Sequence, residues 1–234
     1  MSPGMDVAFR EEPAPHWACE GRGMRAVFTS AASGNLAAHV GDAPAEVAQH
    51  RSLLTTQLLP SPGVATVLQV HSNEVVCATE ADGDWSDAAV PDVTADAVIT
   101  RTPCLPIAVF TADCVPIVLS AGDVVGVVHA GWRGLAAGVI GRACDAMEMD
   151  RSATAVIGPC IGQCCYEVGD EVVRALPHTV QSRELDHGRF GQFIDLRREA
   201  ALQLSRLGVD VVDIDVCTRC DDRLFSYPVS YTHL

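Results

Sequence analysis

Residues 95–134 read ADAVITRTPCLPIAVFTADCVPIVLSAGDVVGVVHAGWRG. Ala97–Thr100, Pro106–Phe110 with its extension Pro116–Leu119, and Val124–Val128 are short apolar runs rich in Val and Ile. Runs of that length and β-branched content read as buried strands. Upstream, Val64–Val70 is another such run and ends on His71, and Arg25–Thr29 reads as a first strand. Between those two, Ala43–Leu59 reads as a helix, with Asp42 placed to cap it, Pro44 in its first turn and Pro60 to stop it. The acidic, Pro-containing Asp82–Asp92 segment is a loop.

Downstream, Ala136–Met147 reads as a helix and Ala153–Ile157 as a strand. Asp195–Leu207 has apolar residues at helical spacing and ends at Gly208, and Val209–Val216 returns to strand. Residues 1–23, rich in Pro and Gly, read as an irregular lead-in. Strands and helices are interspersed without regular βαβ alternation or internal repeat. The expectation is α+β: one layered domain over residues 24–227 with a mixed central sheet, not a doubly wound fold.

A chain of 234 residues, 48% hydrophobic and 20% charged, can bury a substantial core. Thirty acidic residues against 16 Lys+Arg give a formal net charge of −14. Such a surface repels phosphate backbones and anionic lipid, so neither nucleic acid nor membrane is an expected partner. An anionic substrate then needs a local basic group in a cleft. The N-terminus lacks the apolar core of a signal peptide, and no apolar run approaches the ~18 residues of a membrane span. These features predict a cytoplasmic protein whose ten cysteines are thiols or metal ligands.

His71, Cys114 and His129 each stand at the end of an apolar run or just after one, where strand ends of one sheet can converge. A thiolate and two imidazoles suit zinc or copper and are poor for magnesium or calcium. Three protein ligands leave a fourth position open, the arrangement of a catalytic rather than a structural zinc. His129 begins HAGWRG, whose glycines allow close backbone approach. Arg133, four residues on, supplies a planar cation, and Asp113 beside Cys114 is a candidate to move a proton.

QVHSNEV, TADCVPIVL, HAGWRGLAAGV, IGPCIGQCCYEVGDEV, FIDLRREAALQLSRLGV and CTRCDDRLFSY resemble, in order, the motifs of the laccase-domain family of purine nucleoside phosphorylases, also called the YfiH or polyphenol oxidase family. The resemblance runs from about Val27 to Tyr227. It implies that His71, Cys114 and His129 are zinc ligands. It also implies a layered α/β sandwich shared with certain cysteine-dependent toxin deamidases. The implied activities are phosphorolysis of adenosine, inosine and methylthioadenosine, and deamination of adenosine. Purine nucleosides and inorganic phosphate are the implied partners. Zinc lowers the pKa of a bound water, which suits deamination, and Arg133 is placed to hold phosphate bidentately. Two departures stand out. TSAASGNL lacks the arginine of the family's turn after the first strand. The chain also ends PVSYTHL, which resembles a translated sequencing adapter, so 228–234 are expected to be a non-native tail on a truncated reading frame.

Other readings of the same residues make different predictions. A true multicopper laccase needs paired His-x-His motifs, and none of the eight histidines forms one, although the single site is chemically able to take copper. A metal-independent hydrolase or amidase acting on cell-wall precursors would use Cys114 as nucleophile and His129 as base. A non-enzymatic binding role finds no interaction surface in the sequence. Cys160, Cys164, Cys165 and Cys217-x-x-Cys220 are irregularly spaced, which favours buried thiols over a second, structural zinc.

Overall fold

The computed structural model describes residues 5–11, 15–21, 23–38, 40–59, 63–149, 153–185 and 189–227. In chain order the elements are β1 (Asp6–Arg10), β2 (His16–Gly21), β3 (Met24–Thr29), α1 (Pro44–Leu58), β4 (Val75–Ala78) and β5 (Ala97–Thr100). Next come β6 (Val115–Ala121), β7 (Val124–Ala130), α2 (Trp132–Ala136), α3 (Val139–Met147) and β8 (Thr154–Ile157). The last are β9 (Glu167–Val168), α4 (Asp170–Ala175), β10 (Val180–Glu184), β11 (Phe190–Ile194), α5 (Leu196–Arg206) and β12 (Asp210–Asp213).

A six-stranded sheet, ordered β12-β8-β6-β7-β5-β4, forms the centre. Its outer pairs, β12 with β8 and β5 with β4, are parallel, and the inner pairings are antiparallel. Both faces are covered, and the two-residue period of the strands shows how. Ile117 and Leu119 of β6, with Ala155 and Ile157 of β8, pack against Leu135, Ile140, Met147, Leu196 and Leu204 of the helices. Val118 and Val156, between them in sequence, face Trp17 and Phe28 of the β1-β2-β3 sheet. A one-residue slip would exchange the two layers, so the apolar pattern fixes the register. Each large aliphatic side chain buried this way stabilises by about 1.5–3 kcal/mol. The third sheet, β10-β11-β9, is antiparallel. This is the mixed α+β layered architecture that the interspersed pattern predicts.

Four expectations need correction. The stretch 1–23, read as an irregular lead-in, holds two strands among its described residues: β1 and β2 pair antiparallel and bury Trp17, Ala18 and Cys19. Two strands of five and six residues are too short to give a clear period among prolines and glycines. Val64–Val70 and Pro106–Phe110 are extended but are not sheet strands. They meet through the single bridge Ala65↔Ile107, with Ala65 N–H donating to Pro106 O at 2.9 Å. Ala108 N–H returns the bond to Ala65 O at 3.0 Å, and Pro106, with no N–H, cannot extend the ladder. Ala136–Met147 is two helices, because Gly138 takes φ +79° and turns the chain between α2 and α3. Asp42 does not cap α1: Ala43 holds that position, and Asp42 Oδ2 accepts from Asn35 Nδ2 at 2.9 Å. The helix expected over Asp195–Leu207 is present as α5, with Asp195 as its cap, accepting from Arg198 N–H at 2.9 Å. Residues 228–234, read as a non-native tail, lie outside the described residues. Among the described residues no helix is long and apolar enough to cross a membrane.

Candidate metal centre

The central hairpin builds the site. Cys114 immediately precedes β6 and His129 is the penultimate residue of β7, and the register sets Pro116 opposite His129, so thiol and imidazole emerge at one sheet end. His71 arrives from the extended 64–70 segment with φ +61°, a left-handed conformation costly for a non-glycine residue. Its backbone N–H donates to Asp96 Oδ1 at 3.0 Å and holds the turn in place. One ligand atom from each of the three residues lies within 4.8 Å of the others. Cys114 Sγ is 3.7 Å from His71 Nε2, and the two imidazole rings are 4.8 Å apart at 73°. His129 is buried, Cys114 half-buried and His71 exposed, so the group opens to solvent on the His71 side. One thiolate and two imidazoles at this spacing fit a borderline-soft ion of the zinc or copper type.

Asp96, which sequence reasoning does not single out, organises the group. It is 0% exposed, and its Oδ1 accepts from His129 Nδ1 at 2.7 Å. The Ser72 hydroxyl and the Val70 and Ser72 backbone N–H groups donate to Oδ2. Asp96 therefore binds the turn that presents His71 and orients the His129 ring, leaving Nε2 as the ligand nitrogen. The available signal is a lone acid entering an apolar run, Ala95-Asp96-Ala97-Val98. An unpaired acid does not survive such burial.

Burial alone would push the Asp96 carboxyl up, but hydrogen bonds from His129 and Ser72 bring it down to about 2. Burial would likewise lower the His129 imidazole, yet Asp96 and the Cys114 sulfur raise it to about 9. Burial opposes ionisation of Cys114, but hydrogen bonds and charge from His129 and His71 bring its thiol down to about 6. Between those values the metal-free pair is thiolate and imidazolium.

Gly131 is shaped by this site. A Cβ there would stand 2.6 Å from His71 Cδ2 and 3.1 Å from Cys114 Sγ. Arg133 lies on α2 with its guanidinium 4.3 Å from the centroid of the Trp132 ring and 4.0 Å from Glu171 Oε1, half exposed. Asp113 is placed differently from the proton carrier that its position beside Cys114 suggests. Its Oδ1 accepts from the Thr218 hydroxyl at 2.6 Å and its Oδ2 from Tyr227 N–H at 3.0 Å. Both oxygens are committed, the residue is buried, and it takes φ +86°. Asp113 is thus an anchor joining the Cys114 turn to the C-terminal segment.

Residues 21–232 match the family described as multi-copper polyphenol oxidoreductase laccase. A purine nucleoside phosphorylase of Mycobacterium tuberculosis is 38% identical over 205 residues, which are 82% of this chain and 78% of that one. One of Aquifex aeolicus is 37% identical over 163 residues, 68% of this chain and 73% of its own. YlmD from Geobacillus stearothermophilus has a similar structure, with TM-score 0.80 at 28% identity, covering 94% of this chain and 93% of its own. A Neisseria meningitidis protein of family DUF152 gives TM-score 0.70 at 32% identity, covering 96% and 93%.

Proposed function

Because the chain belongs to the multi-copper polyphenol oxidoreductase laccase family, we propose that it is a zinc-dependent purine nucleoside phosphorylase of the cytoplasm, acting on adenosine, inosine and methylthioadenosine, with adenosine deaminase activity at the same site. The observation that carries this reading is the convergence of His71, Cys114 and His129 within 4.8 Å, oriented by buried Asp96. Relatives named purine nucleoside phosphorylase at 38% identity support the substrate class. Zinc is favoured over copper oxidase chemistry because no His-x-His pair exists to build a multinuclear copper centre.

His71 Nε2, Cys114 Sγ and His129 Nε2 would hold the ion. When bound, zinc supplies a Lewis acid at a site with room for one further ligand. Asp96 keeps the proton on His129 Nδ1, so the ring presents Nε2 without reorganisation. Arg133, stacked on Trp132, offers a flat fork of donors to the oxygens of inorganic phosphate. It thereby positions phosphate for attack at the anomeric carbon of the nucleoside. Asp113 acts as a positioning residue through its fixed contacts to Thr218 and Tyr227.

The test is phosphate dependence. Inosine or adenosine should yield free base and ribose 1-phosphate only with phosphate present. Equal base release without phosphate would show a hydrolase and overturn the phosphorylase reading. A second reading has one observation behind it: without metal, Cys114, His129 and Asp96 form a nucleophile, base and orienting acid in series. That arrangement suits an amidase acting on cell-wall precursors. Chelation separates the two, since the phosphorylase loses activity with its metal and the amidase does not.

A further inference from the structure

β8 and β12 are parallel neighbours at one edge of the central sheet, so the loops that follow them leave the same end side by side. The first loop carries Cys164 and Cys165, and the second carries Cys217-Thr-Arg-Cys220. Backbone contacts clamp the loops together. Cys160 bridges Cys217, Cys160 N–H donates to Val216 O, and Thr218 N–H donates to Cys160 O at 3.0 Å. The irregular spacing that favours buried thiols in sequence is thereby overcome in space. The sulfurs of Cys164, Cys165, Cys217 and Cys220 all lie within 4.8 Å of one another, whereas Cys160 is buried apart from the group.

We propose that Cys164, Cys165, Cys217 and Cys220 form a second metal site, a structural tetrathiolate that takes one tetrahedral zinc ion. The distances decide between alternatives. Zinc–thiolate bonds of roughly 2.3 Å in tetrahedral geometry set ligand sulfurs roughly 3.8 Å apart. The observed separations are 3.6 Å for Cys164–Cys217, 3.6 Å for Cys164–Cys220 and 3.4 Å for Cys165–Cys220. A disulfide needs roughly 2.05 Å, and Cys164 and Cys220 each have two such neighbours, which pairwise bridging does not explain. An iron–sulfur cluster would hold its cysteines on different irons and so further apart.

The surroundings suit a bound thiolate. Gly162 N–H donates to Cys217 Sγ at 3.2 Å, the kind of backbone contact that orients a ligand sulfur. A Cβ on Gly162 would come within 3.1 Å of Cys164 Sγ and 3.3 Å of Cys217 Sγ, so the position is kept clear for them. Four ligands leave no open position, as a structural site requires. The ion would fasten the two loops to each other. It would also brace the first site, because Thr218, between Cys217 and Cys220, holds the Asp113 carboxylate beside Cys114. The proposal does not rest on the reading of the first site, and its test keeps the two apart.

Protein purified without added metal is assayed by elemental analysis and intact mass. The full chain should hold two zinc ions. The His71→Ala/His129→Ala variant should hold one, and Cys217→Ser/Cys220→Ser should lose the other. If the cysteine variant fails to fold, Co2+ alone is titrated into the His71→Ala/His129→Ala protein. Intense thiolate-to-cobalt charge transfer with tetrahedral d–d bands, displaced by one equivalent of zinc, supports the site. A histidine variant with no metal and no thiolate–cobalt band overturns it. So does finding these four cysteines joined as disulfides in the native protein.

Discussion

Gly131 has φ −72°, a conformation open to any residue, and yet a Cβ there would stand 2.6 Å from His71 Cδ2. The constraint is therefore space at the site and not the backbone. Gly131→Ala should lower metal affinity at least tenfold in a competition titration while leaving the thermal midpoint of the metal-free protein nearly unchanged. Equal loss of both would place the strain in the fold. The charges make a second prediction. Because Cys114 is down at about 6 and His129 up at about 9, the folded chain at pH 7.5 carries thiolate and imidazolium, whereas unfolded Cys and His carry thiol and neutral imidazole. Each state holds one proton on the pair, so the pair adds no slope to metal-free stability between about pH 6.5 and 9. Below that window the raised His129 keeps its contribution, but the lowered Cys114 loses its own as pH falls through about 6. Above the window Cys114 keeps its contribution and His129 has lost its own. Metal binding at pH 7.5 must displace the His129 proton, so calorimetry in buffers of different ionisation enthalpy should detect about one proton released. Asp96→Asn removes the hydrogen-bonded charge that raises His129; a neutral His129 no longer lowers the Cys114 thiol, so about one proton should still be released, now from sulfur, and metal affinity should fall.

The two Val/Ile runs either side of Gly122 announce the β6–β7 hairpin in the sequence, because strands buried on both faces are apolar at every position. Cys114 and His129 are legible for the same reason: each sits where such a run ends. β10 and β11 are not legible, since β10 is mostly exposed and polar and gains its place by pairing with β11. Asp96 escapes notice because its role depends on His71 and Ser72 arriving from a segment distant in sequence. The break at Gly138 is likewise hidden, since glycine inside an apolar helical pattern is tolerated as often as it terminates. There φ is +79° and nothing lies within 4 Å of an added Cβ. Gly138→Ala should therefore destabilise by about 1 kcal/mol through left-handed strain, read as a lower denaturant midpoint with unchanged slope. Metal content should be unaffected, the reverse of Gly131→Ala. Loss of metal in the Gly138 variant would mean that the α2–α3 turn, and not local space, governs the site.

At the scale of the whole molecule, a formal charge of −14 sets the terms on which an anionic co-substrate arrives. A phosphate dianion approaches against the overall field, so its affinity must come from local donors. Arg133 is the cation that the chain places four residues beyond His129, and it meets a competitor there: Glu171 Oε1, 4.0 Å from its guanidinium. That pair is half exposed and loose, a geometry in which ion pairs contribute about 0–1 kcal/mol. Phosphate can therefore displace Glu171 at small cost. Two substitutions should move phosphate use in opposite directions. Arg133→Lys replaces a planar fork by a point charge and should raise the KM for phosphate by an amount worth about 2 kcal/mol, with metal content retained. Glu171→Gln removes the competing carboxylate and one negative charge, and should lower that KM by up to about fivefold. Nucleoside deamination, which needs no phosphate, should be much less affected by either change. If Arg133 instead only braces α2 against α4, both substitutions would lower thermal stability and all activities would fall together. Opposite shifts in phosphate KM at constant metal content are the signature that a bracing role cannot produce.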